Sequence, residues 1–347
     1  MARVAVVLLN LGGPDRPEAV RRFLFNLFND RAIIGMPQPA RALLAGFVSG
    51  LRARRARRIY SHLGGGSPLL ANTKAQARAL ESALADLGEV AVFCCMRYWH
   101  PRSDAVAAEV KRFGPQSIVL LPLYPQFSST TTASSYRDWR RAARRCGLAV
   151  PTALVCCYPS EEGFVEALAA ATEAGLSRAR ESAPGRRIRV LFTAHGLPRR
   201  TVRRGDPYPQ QVEETAASVA RRLELPAAEW VICYQSRVGP LRWIGPSTPD
   251  EIRRAGQEGV GVVVVPIAFV SEHSETLVEL DIEYARLARE MALPCYVRVP
   301  TVGTAPAFVS GLARLVRAAT GFGDGVRSQT GPRRCTATQR CCLAAKA

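Results

Sequence analysis

IRVLFTAHG, residues 188–196, is a run of β-branched and apolar residues that breaks off at a histidine and a glycine. It follows a break rich in Pro, Gly and Arg at 184–187. A run this short, bounded by turn residues, fits a strand buried on both faces. The same pattern recurs on either side of it. Downstream lie EWVICYQS (229–236), VGVVVVPIAFV (260–270) and CYVRVP (295–300); upstream lie VAVVLLNL (4–11), VAVFCCMRY (90–98), SIVLLPLYP (117–125) and TALVCCY (152–158). Amphipathic helical patterns separate these runs. Such alternation predicts an α/β fold with parallel sheets, and the break at 184–187 predicts a duplication into two doubly wound halves of about four strands each. The boundaries expected are 1–170 and 171–320, with a tail at 321–347. In sheets of this kind ligands bind beyond the carboxyl ends of the strands, and the cleft between the halves is a second expected place.

The 347 residues, 48% of them hydrophobic, are enough for two ordinary domains or one large one. The net charge of +18 calls for an acidic partner, which could be a nucleic acid, an anionic membrane surface or a small polycarboxylate. The arginines are scattered over several helices and no nucleic-acid motif accompanies them, which argues against the first. The opening run of MARVAVVLLNLGG is too short to span a bilayer, and no other segment reaches about 18 uninterrupted apolar residues. Membrane contact, if any, is expected to be peripheral, and a cytoplasmic location is the default. With no secretion signal, the ten cysteines point to thiols or metal ligands rather than a disulfide framework. Cys94, Cys95, Cys233 and Cys295 lie in strand-like runs and read as small buried residues.

The side chains with chemistry gather at strand ends. His195 closes one strand, Tyr124 another, and the acidic series Glu272 to Glu283 follows a third. An imidazole at such an edge is either structural or a proton acceptor near neutral pH. From 274 to 291 a helix is expected, with Leu277, Leu280, Tyr284, Leu287 and Met291 on one face and Glu275, Glu279 and Glu283 on another. That carboxylate row is either a solvated face or a place for a cation or protons, because like charges at four-residue steps repel. Hard oxygens with an imidazole suit Fe(II), and the row could equally relay protons. Gly64-Gly65-Gly66-Ser67-Pro68 matches no nucleotide-loop pattern and reads as a structural loop, as does SSTTTASS at 128–135. MPQPARALLAGFVSGLRARRARRI (36–59) sets Leu43, Leu44, Phe47, Val48 and Leu51 beside five arginines between 52 and 58. It is either a surface helix with a basic face or an apolar lip suited to a membrane or a greasy anion. A last helix is expected at 306–319, and the tail after about 321 shows no apolar period.

LLNLGGP (8–14), YSHLGGGSPL (60–69), MRY (96–98), LPLYPQFSSTTTASS (121–135), FTAHGLP (192–198), GDPYPQQV (205–212), YQSRVGPLRWIGPST (234–248) and PIAFVSEHSETLVELDIEY (266–284) occur in this order. Together they resemble the ferrochelatases over roughly residues 4 to 320. The resemblance implies two Rossmann-like halves around a porphyrin cleft and insertion of Fe(II) into protoporphyrin IX, giving protohaem. It makes His195 the acceptor of a pyrrole proton or an iron ligand, gives Glu275 a catalytic and iron-binding role, and makes Glu275, Glu279 and Glu283 a path for metal delivery or proton exit, the last two as a relay. It also implies a π-type irregularity in the acidic helix, which would shift the faces drawn above. Leu11, Arg97, Tyr124 and Trp243 would line the pocket, with Tyr60, Ser67 and Arg52 or Arg55 near the propionates. Porphyrin would then enter over the lip, from the membrane. Ala133 stands where members of the TTTGSS type have glycine, a small change unless the backbone there needs positive φ. The end of the chain, RRCTATQRCCLAAKA, resembles the extension of members that carry a [2Fe-2S] cluster. Cys335, Cys341 and Cys342 would supply three thiolates and Cys156 or Cys157 the fourth, without the animal C-x2-C-x4-C spacing. A coproporphyrin ferrochelatase or a cobalt chelatase of a more carboxylated tetrapyrrole is the alternative within this fold. The sequence sets no oligomeric state.

Overall fold

A computed structural model describes residues 3–237, 239, 241–331, 335, 336 and 338–343 of the chain. Its strands are β1 (Arg3–Asn10), β2 (Glu89–Met96), β3 (Ser117–Pro122), β4 (Thr152–Val155), β5 (Ile188–His195), β6 (Trp230–Gln235), β7 (Gly261–Pro266), β8 (Tyr296–Arg298) and β9 (Gly325–Arg327). They form two sheets, one in the order β2-β1-β3-β4-β9 and one in the order β6-β5-β7-β8. All neighbours are parallel. The fold is the α/β one expected. Both sheets begin with the same order, in which the first strand is flanked by the second and the third. The direction of winding therefore reverses beside β1 and beside β5, and the crevice at such a reversal is where open sheets take ligands.

Continuous apolar runs form these strands because both faces are covered. Val4 to Leu9 and Val262 to Val265 are each at most 1% exposed. Fully burying a residue of this size contributes about 1.5–3 kcal/mol. Over the second sheet, Leu280 and Tyr284 of the acidic helix pack with Leu191, Ile252, Val262 and Val264.

The chain divides into two units. The first runs to Cys157 and takes back Leu312–Cys335 and Cys342; the second comprises Tyr158–Gly311 and Thr336–Cys341. The boundary expected at 170 thus falls earlier. The helix Glu162–Ser182 belongs to the second sheet, and at Gly175 it comes so close that a Cβ would stand 2.7 Å from Val299 and 3.1 Å from Val263. The tail also departs from expectation. Its β9 adds a fifth strand to the first sheet, with Ala153, Leu154 and Val155 opposite Gly325, Val326 and Arg327.

The helix Ala40–Ser61 occupies the region read as a lip. Leu43, Phe47 and Leu51 are 65–75% exposed and Leu44 is 36% exposed, whereas Val48 is half-buried. SSTTTASS is only partly a loop, since the helix Thr132–Arg145 begins inside it. Ala133 lies in that first turn, where no left-handed backbone is needed. Among the described residues no helix is long and apolar enough to cross a membrane.

Candidate active site

His195 is the last residue of β5 and pairs in register with Gln235, the last of β6, so both side chains stand at the carboxyl edge of the second sheet. Gly196 follows, and a Cβ there would approach the Gln235 carbonyl to 3.1 Å and the Trp243 ring to 3.2 Å. A glycine is the residue that lets this turn pack. The segment around Trp243 lies antiparallel to the one leaving His195: Arg199 donates to the Arg242 carbonyl at 2.8 Å and Ile244 to that of Leu197 at 2.9 Å. The Trp243 ring is thereby held edge-on to the imidazole, centroids 6.4 Å apart.

The acidic helix is a π-helix over Glu275–Tyr284, the irregularity the resemblance implied. The faces change accordingly. Thr276, Val278, Leu280 and Tyr284 are buried, Leu277 is half-buried, and Glu283 is exposed, away from the other two carboxylates of the expected row. Glu275 and Glu279 converge. The Nδ1 atom of His195 lies 2.8 Å from Glu275 Oε2. Ser236 serves both carboxylates: its hydroxyl donates to Glu275 Oε2 at 3.2 Å and closely to Glu279 Oε2, and its N–H donates to Glu279 Oε1 at 2.9 Å. Gln235 Nε2 donates to the Glu275 carbonyl and to Glu279 Oε2, both at 3.2 Å. Tyr284 donates to Glu279 Oε1 at 2.7 Å. Ser236 holds a left-handed φ of +62°, a strained conformation for a serine of the kind that gathers at functional sites.

The two carboxyls are pushed apart. Burial works against ionising Glu275, but the His195 and His273 imidazoles and the Ser236 hydroxyl outweigh it and bring its pKa to about 2. Glu279 rises, because burial and the neighbouring Glu275 charge exceed what Ser236 and Tyr284 return. The His195 imidazole rises as well: burial opposes its charge, and Glu275 and then Glu279 overcome it. Pairs of titratable groups displaced in opposite senses mark acid–base sites.

Four residues at this site carry little or no sequence signal. His273, 8% exposed, is lowered by burial, and its Nε2 atom lies 4.0 Å from Glu275 Oε2. It is one of only four histidines and stands inside SEHSETL, which was a usable signal. Gln235 and Ser236 look like ordinary strand-end residues. Arg298 binds Glu272 Oε1 at 2.5 Å and both carboxylate oxygens of Asp281. A charge in the middle of CYVRVP is the trace it leaves in the sequence.

The first unit holds the other expected residues. Leu11 and Arg97 follow the ends of β1 and β2, joined by Arg97 N–H to the Asn10 carbonyl at 2.8 Å. The Arg97 guanidinium is committed to the protein: it pairs with Asp30 at 2.9 Å and donates to Ser134 at 2.8 Å. Tyr98 and Ser134 donate to the same Asp30 oxygen, Tyr98 at 2.8 Å. No local sequence pattern marks Asp30. Burial alone would raise its carboxyl, but Arg97, Ser134 and Tyr98 together hold it low. Tyr124 and Ser67 are half-buried and Tyr60 is buried. Arg52, half-buried, stacks over the Phe28 ring at 5.8 Å, while Arg55 is exposed. Of the cysteines, Cys156, Cys157, Cys335 and Cys342 are buried thiols of this unit, with the sulfurs of Cys156 and Cys157 3.5 Å apart. Cys341, in the second unit, turns its thiol to the Arg204 carbonyl at 3.5 Å. Among the described residues no three His, Cys, Asp or Glu side chains are grouped so as to hold a metal ion.

A family model described as Ferrochelatase matches residues 3–320. A ferrochelatase of Caulobacter vibrioides is 53% identical over 338 residues, covering 96% of this chain and 95% of its own. That of Phenylobacterium zucineum is 53% identical over 314 residues, with 90% of each chain covered. Among solved structures, SirB from Bacillus subtilis with Fe3+ superposes with a TM-score of 0.52 at 13% identity, covering 92% of this chain and 96% of that one. The sirohydrochlorin chelatase SirB of subspecies spizizenii with cobalt gives 0.51, also at 13%. At such identity the likeness concerns the fold alone.

Proposed function

The chain belongs to the ferrochelatase family, and from that premise we propose that it inserts Fe(II) into protoporphyrin IX to form protohaem, with His195 and Glu275 at the reacting atoms. It is a metal chelatase. The observation that carries the assignment of roles is the 2.8 Å contact of His195 Nδ1 with a Glu275 carboxyl held ionised. With Nδ1–H donating to Glu275, Nε2 carries the free lone pair, and Glu275 stabilises the imidazolium once a proton arrives. Insertion exchanges two pyrrole protons for one Fe(II). His195 takes a pyrrole proton at Nε2 or presents the same lone pair to iron. Glu279, whose carboxyl is pushed towards its protonated form, receives a proton through the Ser236 hydroxyl that bridges it to Glu275, while the Gln235 amide holds it in place. Glu283, being exposed, extends that path to the surface.

Porphyrin binding is assigned to Leu11, Arg97, Tyr124 and Trp243, with Tyr60, Ser67, Arg52 and Arg55 for the propionates. Trp243 beside the imidazole supports this, as does Arg55, whose charge is open to solvent. Arg97 serves by shape, since Asp30 already takes its charge. The test is an anaerobic Fe(II) insertion assay with protoporphyrin and with coproporphyrin. Protoporphyrin is expected to be preferred and His195→Ala to abolish turnover; equal activity in the variant would sink the mechanism.

Two attachments are proposed separately. Peripheral docking on the inner face of the cytoplasmic membrane rests on the exposed Leu43, Phe47 and Leu51 beside the arginines of the same helix. Phe47→Ser/Leu51→Ser should then lose sedimentation with anionic vesicles, and an undiminished bound fraction would remove the idea. The second is a [2Fe-2S] cluster on Cys335, Cys341, Cys342 and Cys156 or Cys157; all of these but Cys341 are buried in one unit, and Cys341 belongs to the other. Against a cluster, hydrogen bonding to Cys157, burial and the charges of Cys342 and Cys335 all raise the Cys156 thiol and so disfavour the thiolate that ligation needs. The thiols as placed do not fit a cluster, because no three of them are grouped to hold metal. No step of the reaction is routed through it. Iron and sulfide analysis with a visible spectrum decides: a colourless protein without iron after anaerobic reconstitution ends the proposal.

A further inference from the structure

We infer that Arg298 is a positioning residue, whose guanidinium brackets the π-helix and so holds Glu275 and Glu279 on His195 and Ser236. The inference rests on the roles proposed above for those carboxylates and adds a residue that touches neither substrate. A ten-residue π-helix is an unusual structure, since i→i+5 bonding normally survives only for single turns inside α-helices. Its geometry is used at the site. Tyr284 reaches Glu279, five residues back, whereas on an α-helix side chains meet at three and four. Something outside the helix has to hold that register.

Arg298 is placed to do so. It sits on β8 with its side chain 12% exposed and reaches out on both sides of the site carboxylates. Nη1 donates to Glu272, three residues before Glu275, at 2.5 Å; Nε donates to Asp281, two residues after Glu279, at 2.7 Å, and Nη2 binds the second Asp281 oxygen. Glu272 is anchored a second time by the Thr301 N–H at 2.9 Å. Tyr296, also on β8, donates to the Leu280 carbonyl at 2.8 Å and catches the helix backbone between the two ends of the bracket. Glu272 and Asp281 therefore face β8, and the alternate carboxylates Glu275 and Glu279 face β5 and β6. Arg298 also pairs with two of the five acids between 272 and 283, Glu272 and Asp281, and offsets part of the negative charge that flanks Glu275 and Glu279. A planar fork is needed, because an ammonium cannot span two carboxylates in this way.

The test compares Arg298→Met with Arg189→Met in the intact protein. Arg189 makes an equally buried ion pair with Glu258 in the same unit and takes no part in the site. In Arg298→Met, kcat for iron insertion should fall roughly ten- to a hundredfold, as for a small misplacement of reacting groups, with porphyrin affinity by fluorescence unchanged. Added guanidinium should restore part of it, and Arg298→Lys should not. Amide exchange over 275–284 should quicken in Arg298→Met and stay as in wild type in Arg189→Met. Wild-type kcat in folded Arg298→Met, or an equal loss in Arg189→Met, overturns the inference. If the wild-type protein inserts no iron, the proposed function fails by itself. The exchange comparison then still decides on the bracket, for or against.

Discussion

Replacing Glu275 by Gln keeps the size and one hydrogen-bonding oxygen and removes the charge that faces His195. A carboxyl that ionises near 2 instead of 4.5 is worth about 3 kcal/mol in the absence of screening. The Glu275 side chain is 26% exposed and that of His195 38% exposed, so solvent screens part of the attraction, and about 1–2 kcal/mol is the expected loss. The two shifts describe one pair and are not added. The pH range follows from their signs. Glu275 is depressed in the folded protein, so its contribution is present above 4.5 and lost as pH falls towards about 2. His195 is raised, so its contribution is complete below 6.5 and lost as pH rises through the higher folded value. The stability difference between wild type and Glu275→Gln should therefore form a plateau from 4.5 to 6.5 and decline on either side. Urea denaturation of both proteins across that range and on into alkaline solution measures it. A difference that is flat with pH, or that grows above the imidazole range, would refute the pairing.

Glu279→Gln should act in the opposite direction. A carboxyl raised by folding lowers stability at neutral pH, so the glutamine variant should be the more stable there, with the gain vanishing below about 4.5 and with turnover reduced; paired denaturation and insertion assays read both. Asp30→Asn removes the nearer of the two carboxylates on the Arg97 guanidinium, 10% exposed, and leaves it Asp138 at 3.5 Å, so it should cost about 1–3 kcal/mol in denaturation. A loss within about 0.5 kcal/mol, as for an ordinary surface change, would show that Asn retains what Arg97 needs.

How much of this could be read from sequence depends on the kind of signal. Runs such as VAVVLLNL and VGVVVVPIAFV state their own burial, because a strand covered on both faces has to be apolar throughout. The duplication is legible for the same reason. Strand pairing is not: nothing in GVR at 325–327 announces that β9 pairs with β4 and draws the end of the chain into the first unit. His195 and Glu275 were legible as chemical types in a suggestive place, and the ordered motifs gave them roles. Ser236, Gln235 and Asp30 were not, since each works through a contact 39 to 68 residues distant in sequence that no local pattern records. Glu283 was misplaced because a four-residue rhythm assumes an α-helix, and the helix here is not one.

The difference between the two glutamates also bears on how a chelatase can release what it holds. Two ionised carboxylates and an imidazole would make a strong site for a divalent cation, and a strong site would compete with the porphyrin for its own substrate. Here Ser236 binds both carboxylates at once, so they lie close enough for the charge on Glu275 to suppress that on Glu279. Arg298 draws Glu272 and Asp281 to itself and offsets one of their two charges. On the proposed roles, what faces iron is one firm negative charge, already shared with His195, and one carboxyl able to exchange a proton. Arrival of Fe(II) would favour the ionised form of Glu279 and strengthen binding, and arrival of pyrrole protons would favour its protonated form. Metal release and proton uptake are then the same event seen from two sides. A Glu279→Gln variant, unable to make that exchange, should keep porphyrin affinity while its rate loses the pH dependence that Glu279 supplies.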